Sequence, residues 1–81
     1  MKELSYEDVL KNRVDTISQF YILDYLKNNL NIDEFKIYLV DQDNIKVIDK
    51  NNDYLYFHYD SKNKKVSYQE ELKEKEYEMG L

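Results

Sequence analysis

The sequence predicts one small α+β domain over residues 1–81, in which an N-terminal helix packs on a four-stranded antiparallel β-meander. Three observations lead to this prediction. Apolar residues recur at helical spacing in the first third of the chain, short runs in the second half alternate apolar and polar residues, and turn-forming residues separate these runs. A helical segment followed by a run of strands is typical of α+β domains. With 81 residues, the chain has the length of one domain with a small core.

The first element is a helix predicted over residues 5–29. Ser5 and Asp8 have the spacing of an N-terminal capping box, and Leu4 and Val9 stand at the positions of a hydrophobic staple. The asparagines of residues 28–31 can end the helix, because asparagine tolerates the left-handed conformation.

The apolar residues of this helix occupy two sides of the helical wheel. One side carries Tyr6, Val9, Leu10, Val14, Ile17, Phe20, Tyr21 and Tyr25, and the other carries Ile22, Leu23, Leu26 and Leu30. Either both faces of the later turns are covered, or the helix is interrupted near residues 13–16. A second candidate capping box from Thr16 to Gln19 is consistent with an interruption.

Four short strands follow, each marked by alternation with a period of two residues. They cover residues 35–40, 45–48, 54–59 and 65–69, and the loops between them cover residues 41–44, 49–53 and 60–64. Loops this short cannot make a parallel crossover, so neighbouring strands are predicted to pair antiparallel in chain order. The face predicted to meet the helix carries Phe35, Ile37, Leu39, Ile45, Val47, Leu55, Phe57 and Val66, with Tyr59 and Tyr68.

The end of the chain is rich in glutamate and lysine. Residues 70–79 are predicted to form either a short C-terminal helix or a frayed acidic tail. Only Leu72, Tyr77 and Met79 could anchor this segment to the rest of the domain.

Composition and charge exclude several classes of protein. The chain has 17 acidic and 12 basic residues, a net charge of −5, and only one of the basic residues, Arg13, is an arginine. Since binding to duplex DNA depends on Lys and Arg, we expect no direct nucleic-acid binding and instead a protein partner with a basic surface. We see no secretory signal and no apolar run of roughly 20 residues, so we expect no membrane association. The absence of cysteine fits a bacterial cytoplasm, or the host cytoplasm if a phage encodes the protein.

The sequence has no catalytic constellation, and we expect neither enzyme activity nor a cofactor. Cysteine is absent, no serine lies in a nucleophile motif, and the single histidine, His58, has no evident partner nearby in the sequence. A glycine-rich phosphate loop is excluded because the only glycine is Gly80. Residues 49–53 partly copy a calcium loop, but Tyr54 stands where that loop requires glycine, so we interpret them as a turn that binds no metal.

Acidic residues in the predicted loops and tail form the first candidate binding surface. Such an array could imitate the phosphates of a nucleic acid toward a basic protein, although turn formation and solubility alone could also account for it. Its members are Asp41, Asp43, Asp49, Asp53 and Asp60 in the loops, and Glu70, Glu71, Glu74, Glu76 and Glu78 in the tail.

The second candidate is the sheet face turned away from the helix, where Tyr38, Tyr54 and Tyr56 are interleaved with Lys36, Lys46 and Lys65. Tyrosine is enriched in protein interfaces, and aromatic rings among lysines also suit stacking with a single-stranded nucleic acid. Ordinary cross-strand packing of these tyrosines, partly covered by the tail, is the alternative explanation.

In size, acidic charge and composition, the chain resembles small phage proteins that inhibit host nucleases, including many anti-CRISPR and glycosylase-inhibitor proteins. The resemblance implies a non-catalytic inhibitor or regulator that mimics nucleic acid toward a nucleic-acid-handling protein. The first alternative is an adaptor or a homo-oligomeric protein, such as a homodimer, that uses the tyrosine-rich sheet face. The second alternative is a single-stranded nucleic-acid binder.

Overall fold

A computed structural model describes residues 1–70, which contain five strands, two α-helices and one 3₁₀ turn. In chain order these elements are β1 (Lys2–Leu4), α1 (Tyr6–Leu10), α2 (Ile17–Asn29), the 3₁₀ turn (Ile32–Glu34), β2 (Lys36–Asp41), β3 (Asn44–Ile48), β4 (Tyr54–Asp60) and β5 (Lys65–Gln69). The strands form one antiparallel sheet in the order β1-β2-β3-β4-β5. Both helices pack on one face of this sheet and share its core. The predicted α+β class and antiparallel meander are therefore confirmed.

Strand β1 corrects the predicted four-stranded sheet to a five-stranded one within residues 1–70. It pairs antiparallel with β2, so that Leu4 lies opposite Ile37 and Lys2 opposite Leu39. Leu4 is buried, whereas Lys2 and Glu3 are exposed. A strand of three residues with one buried side chain shows too little alternation to be recognised in a sequence.

The long N-terminal helix that the sequence predicted is interrupted and becomes α1 and α2. Helix α1 begins with a complete capping box, because the Asp8 N–H donates to the Ser5 Oγ at 3.0 Å and the Ser5 N–H donates to the Asp8 Oδ2 at 3.0 Å. Asn12, with a φ of 54°, adopts the left-handed conformation that ends this segment. Helix α2 starts at a second capping box, in which the Gln19 N–H donates to the Thr16 Oγ1 at 3.1 Å.

Helix α2 turns its aliphatic side toward the sheet. Ile22, Leu23 and Leu26 are fully buried in the core. The opposite side of the same helix, which includes Phe20, is exposed. The side of the helical wheel that contains Ile22, Leu23 and Leu26 therefore forms the buried face of α2. On the other side of the wheel, the most deeply buried residue is Val9, which lies in α1.

The alternation predicted along the strands is confirmed. The buried sheet residues are Leu4, Ile37, Leu39, Ile45, Val47 and Phe57, and the half-buried ones on the same face are Leu55, Tyr59 and Val66. Phe35, which was predicted to begin the first strand of the meander, immediately precedes β2 and packs half-buried against the same core. Tyr68 lies on this face as predicted, opposite Phe57, but it is 64% exposed because β5 is an edge strand. Tyr38, Tyr54 and Tyr56 fall on the other face, as predicted.

The predicted C-terminal helix or tail lies outside the described residues, except for Glu70. Four glutamates that the sequence assigned to the acidic array lie outside them as well, namely Glu71, Glu74, Glu76 and Glu78. Within residues 1–70, no helix combines the length and the apolar character needed to cross a bilayer.

Candidate functional site

The acidic loop residues lie at opposite ends of the sheet and do not form one continuous array. The β2–β3 turn, with Asp41 and Asp43, lies at the same end of the sheet as the β4–β5 turn, and the N–H of Tyr59 in β4 donates to the Asp43 carbonyl at 3.1 Å. The β3–β4 turn, with Asp49 and Asp53, lies at the other end. A single partner that contacts one end of the sheet therefore meets only part of the predicted array.

Two of these aspartates build the turns in which they lie. The Asp41 Oδ1 accepts from the N–H of Asp43 at 2.9 Å. The Asp49 Oδ1 accepts from the N–H of Asn51 at 2.8 Å and from the N–H of Asp53 at 3.1 Å. Short-range bonds of this kind are the reason that aspartate is favoured in turns. Turn formation therefore explains the positions of Asp41 and Asp49, and their carboxylates still contribute charge.

Asp60 anchors the β4–β5 turn in the same way. Its Oδ2 accepts from the Asn63 Nδ2 at 2.7 Å, and its Oδ1 accepts from the backbone N–H groups of Lys62 at 3.0 Å and Asn63 at 3.2 Å. These bonds, led by that of the Asn63 side chain, lower the pKa of the Asp60 carboxyl below its ordinary value of 3.8. The carboxylate is charged at neutral pH and is engaged by its own turn.

A groove of about 510 Å³ opens beside the β3–β4 turn. Its apolar lining consists of Leu30, Phe35, Val47, Leu55 and Phe57, together with Tyr54. Three carboxylates also line it, those of Asp49, Asp53 and Glu70. Because Val47 and Phe57 are buried while Asp53 and Glu70 are exposed, the apolar residues form the floor and the carboxylates form the rim. We call this feature the acid-rimmed groove.

The lysine of the β3–β4 turn is paired with a carboxylate that does not belong to the rim. Lys50, in the β3–β4 turn, places its Nζ 2.6 Å from the Glu34 Oε1. This hydrogen-bonded ion pair lowers the pKa of Glu34 and raises the pKa of Lys50. The charge of Lys50 is thus matched by Glu34 and not by a carboxylate of the rim.

The sheet face opposite the helices carries the predicted tyrosines around Lys46. The rings of Tyr54 and Tyr56 meet edge to face, with their centroids 5.7 Å apart. The Lys46 Nζ lies 4.5 Å from the Tyr54 centroid and 5.6 Å from the Tyr56 centroid, within the range of a cation–π interaction. Tyr38 lies directly opposite Lys46 on β2. We call these four residues the tyrosine cluster, and within residues 1–70 both helices lie on the other side of the sheet.

His58 has a partner that its neighbours in the sequence did not reveal. Its Nδ1 lies 3.2 Å from the Asn44 Oδ1, and the Asn44 Nδ2 donates to the Asp41 Oδ1 at 2.8 Å. Because an amide oxygen can only accept, this contact places a proton on the His58 Nδ1. The three side chains connect β4 to the β2–β3 turn. Within residues 1–70, no three His, Asp or Glu side chains come together in a way that could bind a metal ion.

One exposed surface that the sequence did not single out lies on α2 and β5. Its members are between 38% and 74% exposed and are Ile17, Phe20, Tyr21, Tyr25 and Tyr68. We call this surface the aromatic band. The Tyr21 ring stacks on the Tyr59 ring with centroids 4.9 Å apart, while the rings of Tyr25 and Tyr68 lie 6.2 Å and 5.7 Å from that of Phe57. The signal was present as aromatic residues at helical spacing, and it indicates a surface only once the aliphatic side of α2 is assigned to the core.

Comparisons with protein-family models, with curated proteins and with solved structures gave no match. What the chain can bind therefore follows from its own surfaces. Two of them carry residues that the sequence predicted, namely the acid-rimmed groove with Asp49, Asp53 and Glu70, and the tyrosine cluster.

Proposed function

We propose that the protein is a non-catalytic binding protein, an acidic inhibitor or regulator of a nucleic-acid-handling protein, and that it acts in a bacterial cytoplasm or, if phage-encoded, in the cytoplasm of the host. The acid-rimmed groove is the observation that supports this proposal most directly. Proteins that handle nucleic acids present lysine and arginine to the phosphate backbone. A surface of that kind is attracted to the three carboxylates of the rim, and the net charge of −5 strengthens the attraction.

The groove adds an apolar anchor to this attraction. Its volume of about 510 Å³ is large enough for one or two apolar side chains of a partner. Buried anchors of this type carry most of the binding energy of an interface, whereas charges at its edge mainly guide the encounter. The partner segment that fits is therefore basic, with an apolar side chain for the floor between lysines or arginines for the rim.

The experiment measures association and dissociation rates against a partner isolated by affinity capture and then purified. Asp53→Asn with Glu70→Gln removes two carboxylates from the rim and changes the net charge from −5 to −3. Asp15→Asn with Asp43→Asn makes the same change of charge at the opposite end of the sheet. All four side chains are exposed, so both double variants are expected to fold as the unmodified protein does.

We expect the rim variant to slow association more than the variant at the opposite end does, and to weaken the salt dependence of the association rate. Attraction between exposed charges falls as the Debye length shrinks from about 10 Å at 0.1 M salt to about 3 Å at 1 M. Equal effects of the two variants would show that only the overall charge matters. An association rate that neither variant nor salt alters would refute the proposal, as would a partner that does not act on nucleic acids.

The tyrosine cluster supports a second candidate function, that of an adaptor. Tyr54 is 43% exposed beside the cation–π contact of Lys46, on a face that lies away from both helices of residues 1–70. Packed aromatic residues act mainly on dissociation, because truncating them removes short-range contacts. An adaptor function is therefore favoured if Tyr56→Ala, in the tyrosine cluster but outside the groove, speeds dissociation from the captured partner while the rim variant leaves association unchanged.

A further inference from the structure

The aromatic band is an exposed surface that the proposed function does not use. Its aromatic rings belong to two rows of neighbouring rings. In the first row, Phe20 contacts Tyr21, which stacks on Tyr59 of the sheet. In the second row, Tyr25 and Tyr68 both contact the ring of Phe57. Since Tyr21 and Tyr25 are one turn apart on α2, the two rows of rings lie side by side along the helix. The band therefore spans the helix layer and the edge strand β5.

The size of the band matches the apolar part of a protein interface. At roughly 200 Å² for a large side chain, the exposed fractions of its five members amount to about 500 Å². A stable interface buries about 800 Å² on each partner, of which about 60% is apolar. The band is also at the upper end of the largest apolar patches found on typical monomers, about 300–600 Å².

We propose that two copies of this chain associate face to face through the aromatic band to form a symmetric dimer. A two-fold contact brings the same patch of both copies together, so the patch must be complementary to itself. Tyrosine and phenylalanine rings meet this requirement, because each ring can pack edge to face on its equivalent. The edge-to-face pair of Phe20 and Tyr21 already shows this arrangement within one copy.

The distribution of charge favours a second copy as the occupant. Each copy carries a net charge of −5, so two copies repel each other except where their facing surfaces have little charge. All five members of the band are uncharged, and the one acidic residue between them on α2, Asp24, lies 3.4 Å from the Asn28 amide. A basic partner, by contrast, is attracted more strongly to the acidic turns at the ends of the sheet than to this uncharged surface.

The edges of the sheet are unsuited to the alternative route of strand addition. Strand β5 begins at Lys65 and follows Lys62 and Lys64 of the preceding turn, and exposed lysines at an edge oppose pairing with another strand. Strand β1, at the other edge, has only three residues. Association through a face is therefore favoured over a continuous sheet shared by two copies.

The experiment is sedimentation equilibrium of the full 81-residue chain from about 1 μM to about 1 mM, a range that covers interfaces of modest strength. We expect the mass to rise with concentration to twice that of the monomer. Tyr68→Ser and Ile17→Glu should each raise the dimer dissociation constant by about 10-fold or more, the effect of losing a buried anchor. Ile17 is the first residue of α2, where a glutamate suits the helix dipole, so this variant is expected to remain folded.

Tyr54→Ser and Tyr6→Ser are the matched controls, because both tyrosines are exposed and lie outside the band. We expect them to leave the dissociation constant unchanged, with circular dichroism showing that all four variants are folded. A chain that remains monomeric throughout the concentration range would overturn the proposal. It would also be overturned if Tyr54→Ser weakened the dimer as much as Tyr68→Ser, since the interface would then lie on the tyrosine cluster.

Discussion

Gln19 is a buried polar side chain that connects α2 to the sheet. Its Nε2 donates to the Asp41 carbonyl at 2.8 Å, while its Oε1 accepts from the backbone N–H groups of Asp15 at 2.8 Å and Thr16 at 3.1 Å. We expect Gln19→Ala to lower the free energy of unfolding by about 1–3 kcal/mol, because these backbone groups lose their partner. Urea denaturation measures the change, with Asn28→Ala on the exposed side of α2 as the control. A loss no larger than that of the control would show that water replaces the amide without cost.

Phe57 tests the register of the sheet. It is 5% exposed in the core, whereas Tyr54, on the same strand, points to the other face and is 43% exposed. Phe57→Ala should lower the free energy of unfolding by about 3–5 kcal/mol, through lost burial and the cavity that remains. Tyr54→Ala should cost much less, since the removed ring is only partly buried. Similar losses for the two variants, measured by urea denaturation, would contradict the observed register.

The carboxyls of Asp8 and Asp60 predict a loss of stability in acid. The pKa of Asp8 lies below its ordinary value of 3.8, mainly because the Ser5 backbone N–H donates to it, and the pKa of Asp60 is lowered by the bonds from Asn63. Since both pKa values are lower in the folded chain, each carboxyl contributes stability that is fully present above about pH 3.8 and is lost as the pH falls through its folded value. The melting temperature should therefore fall more steeply below about pH 4 than above it.

Asp60→Asn isolates the part of this effect that comes from the β4–β5 turn. The variant keeps an acceptor for the turn but has no charge to lose, so its melting temperature should fall less in acid than that of the unmodified protein. Asp43→Asn is the control, because within residues 1–70 the Asp43 side chain builds no turn of its own. Acid profiles that are identical for Asp60→Asn and the unmodified protein would assign the loss of stability to other carboxyls.

At the scale of the elements, two turns depend on residues in the left-handed conformation. Asn52 has a φ of 66° in the β3–β4 turn, and Lys64 has a φ of 54° in the β4–β5 turn. Asparagine adopts this conformation more readily than lysine, whose Cβ is crowded there. Lys64→Gly is therefore expected to raise the melting temperature, by the equivalent of up to about 1 kcal/mol, while Asn52→Gly should change it little. A lower melting temperature for Lys64→Gly would show that chain entropy outweighs the relieved strain.

Helices and strands that are marked by patterns among residues close in the sequence could be predicted from the sequence. Tyr54 to Tyr59 alternate with a period of two, and the structure confirms which of them face the core. Both capping boxes are visible as residue spacings, and the second one marks the start of α2. Strand β1 could not be predicted, because its pairing with β2 is a long-range contact and only Leu4 within it is buried. The buried side of α2 also remained open, since both sides of that helix carry apolar residues.

The candidate site shows the same division. Asp49, Asp53 and Glu70 were identified from charge alone, which the sequence states directly. Their position around Leu30 and Phe35 could not be anticipated, because the groove forms where the end of α2 approaches the β3–β4 hairpin. Sequence reasoning therefore found the rim of the groove and missed the fact that the groove exists.

At the scale of the whole molecule, the positions of the lysines and the net charge lead us to expect weak or absent binding to single-stranded nucleic acids. Of the lysines that the sequence placed on the tyrosine face, only Lys46 contacts the rings, whereas Lys36 lies opposite Ile48 and Lys65 lies opposite Asp60 at the far end of β4. Because the protein has a net charge of −5, it repels the phosphate backbone of a nucleic acid. We expect no measurable binding of labelled single-stranded DNA or RNA by fluorescence anisotropy at physiological salt. Tight, salt-sensitive binding that Tyr56→Ala abolishes would instead favour the nucleic-acid function.

The order of strands in the sheet has a consequence for how the chain folds. Strands β2 to β5 pair with their neighbours in sequence, whereas β1 reaches β2 across both helices, so that residue 4 meets residue 37, a separation of 33. Closing a long loop costs more entropy than closing a hairpin, so the meander is expected to form first and the N-terminal strand to join it last. In hydrogen exchange, the amides of β1 should then open at a lower free energy than those of β3 and β4. Each such opening would expose Leu4 to solvent while strands β2 to β5 stay paired. We therefore expect the N-terminal edge of the sheet to unfold locally before strands β3 and β4 do.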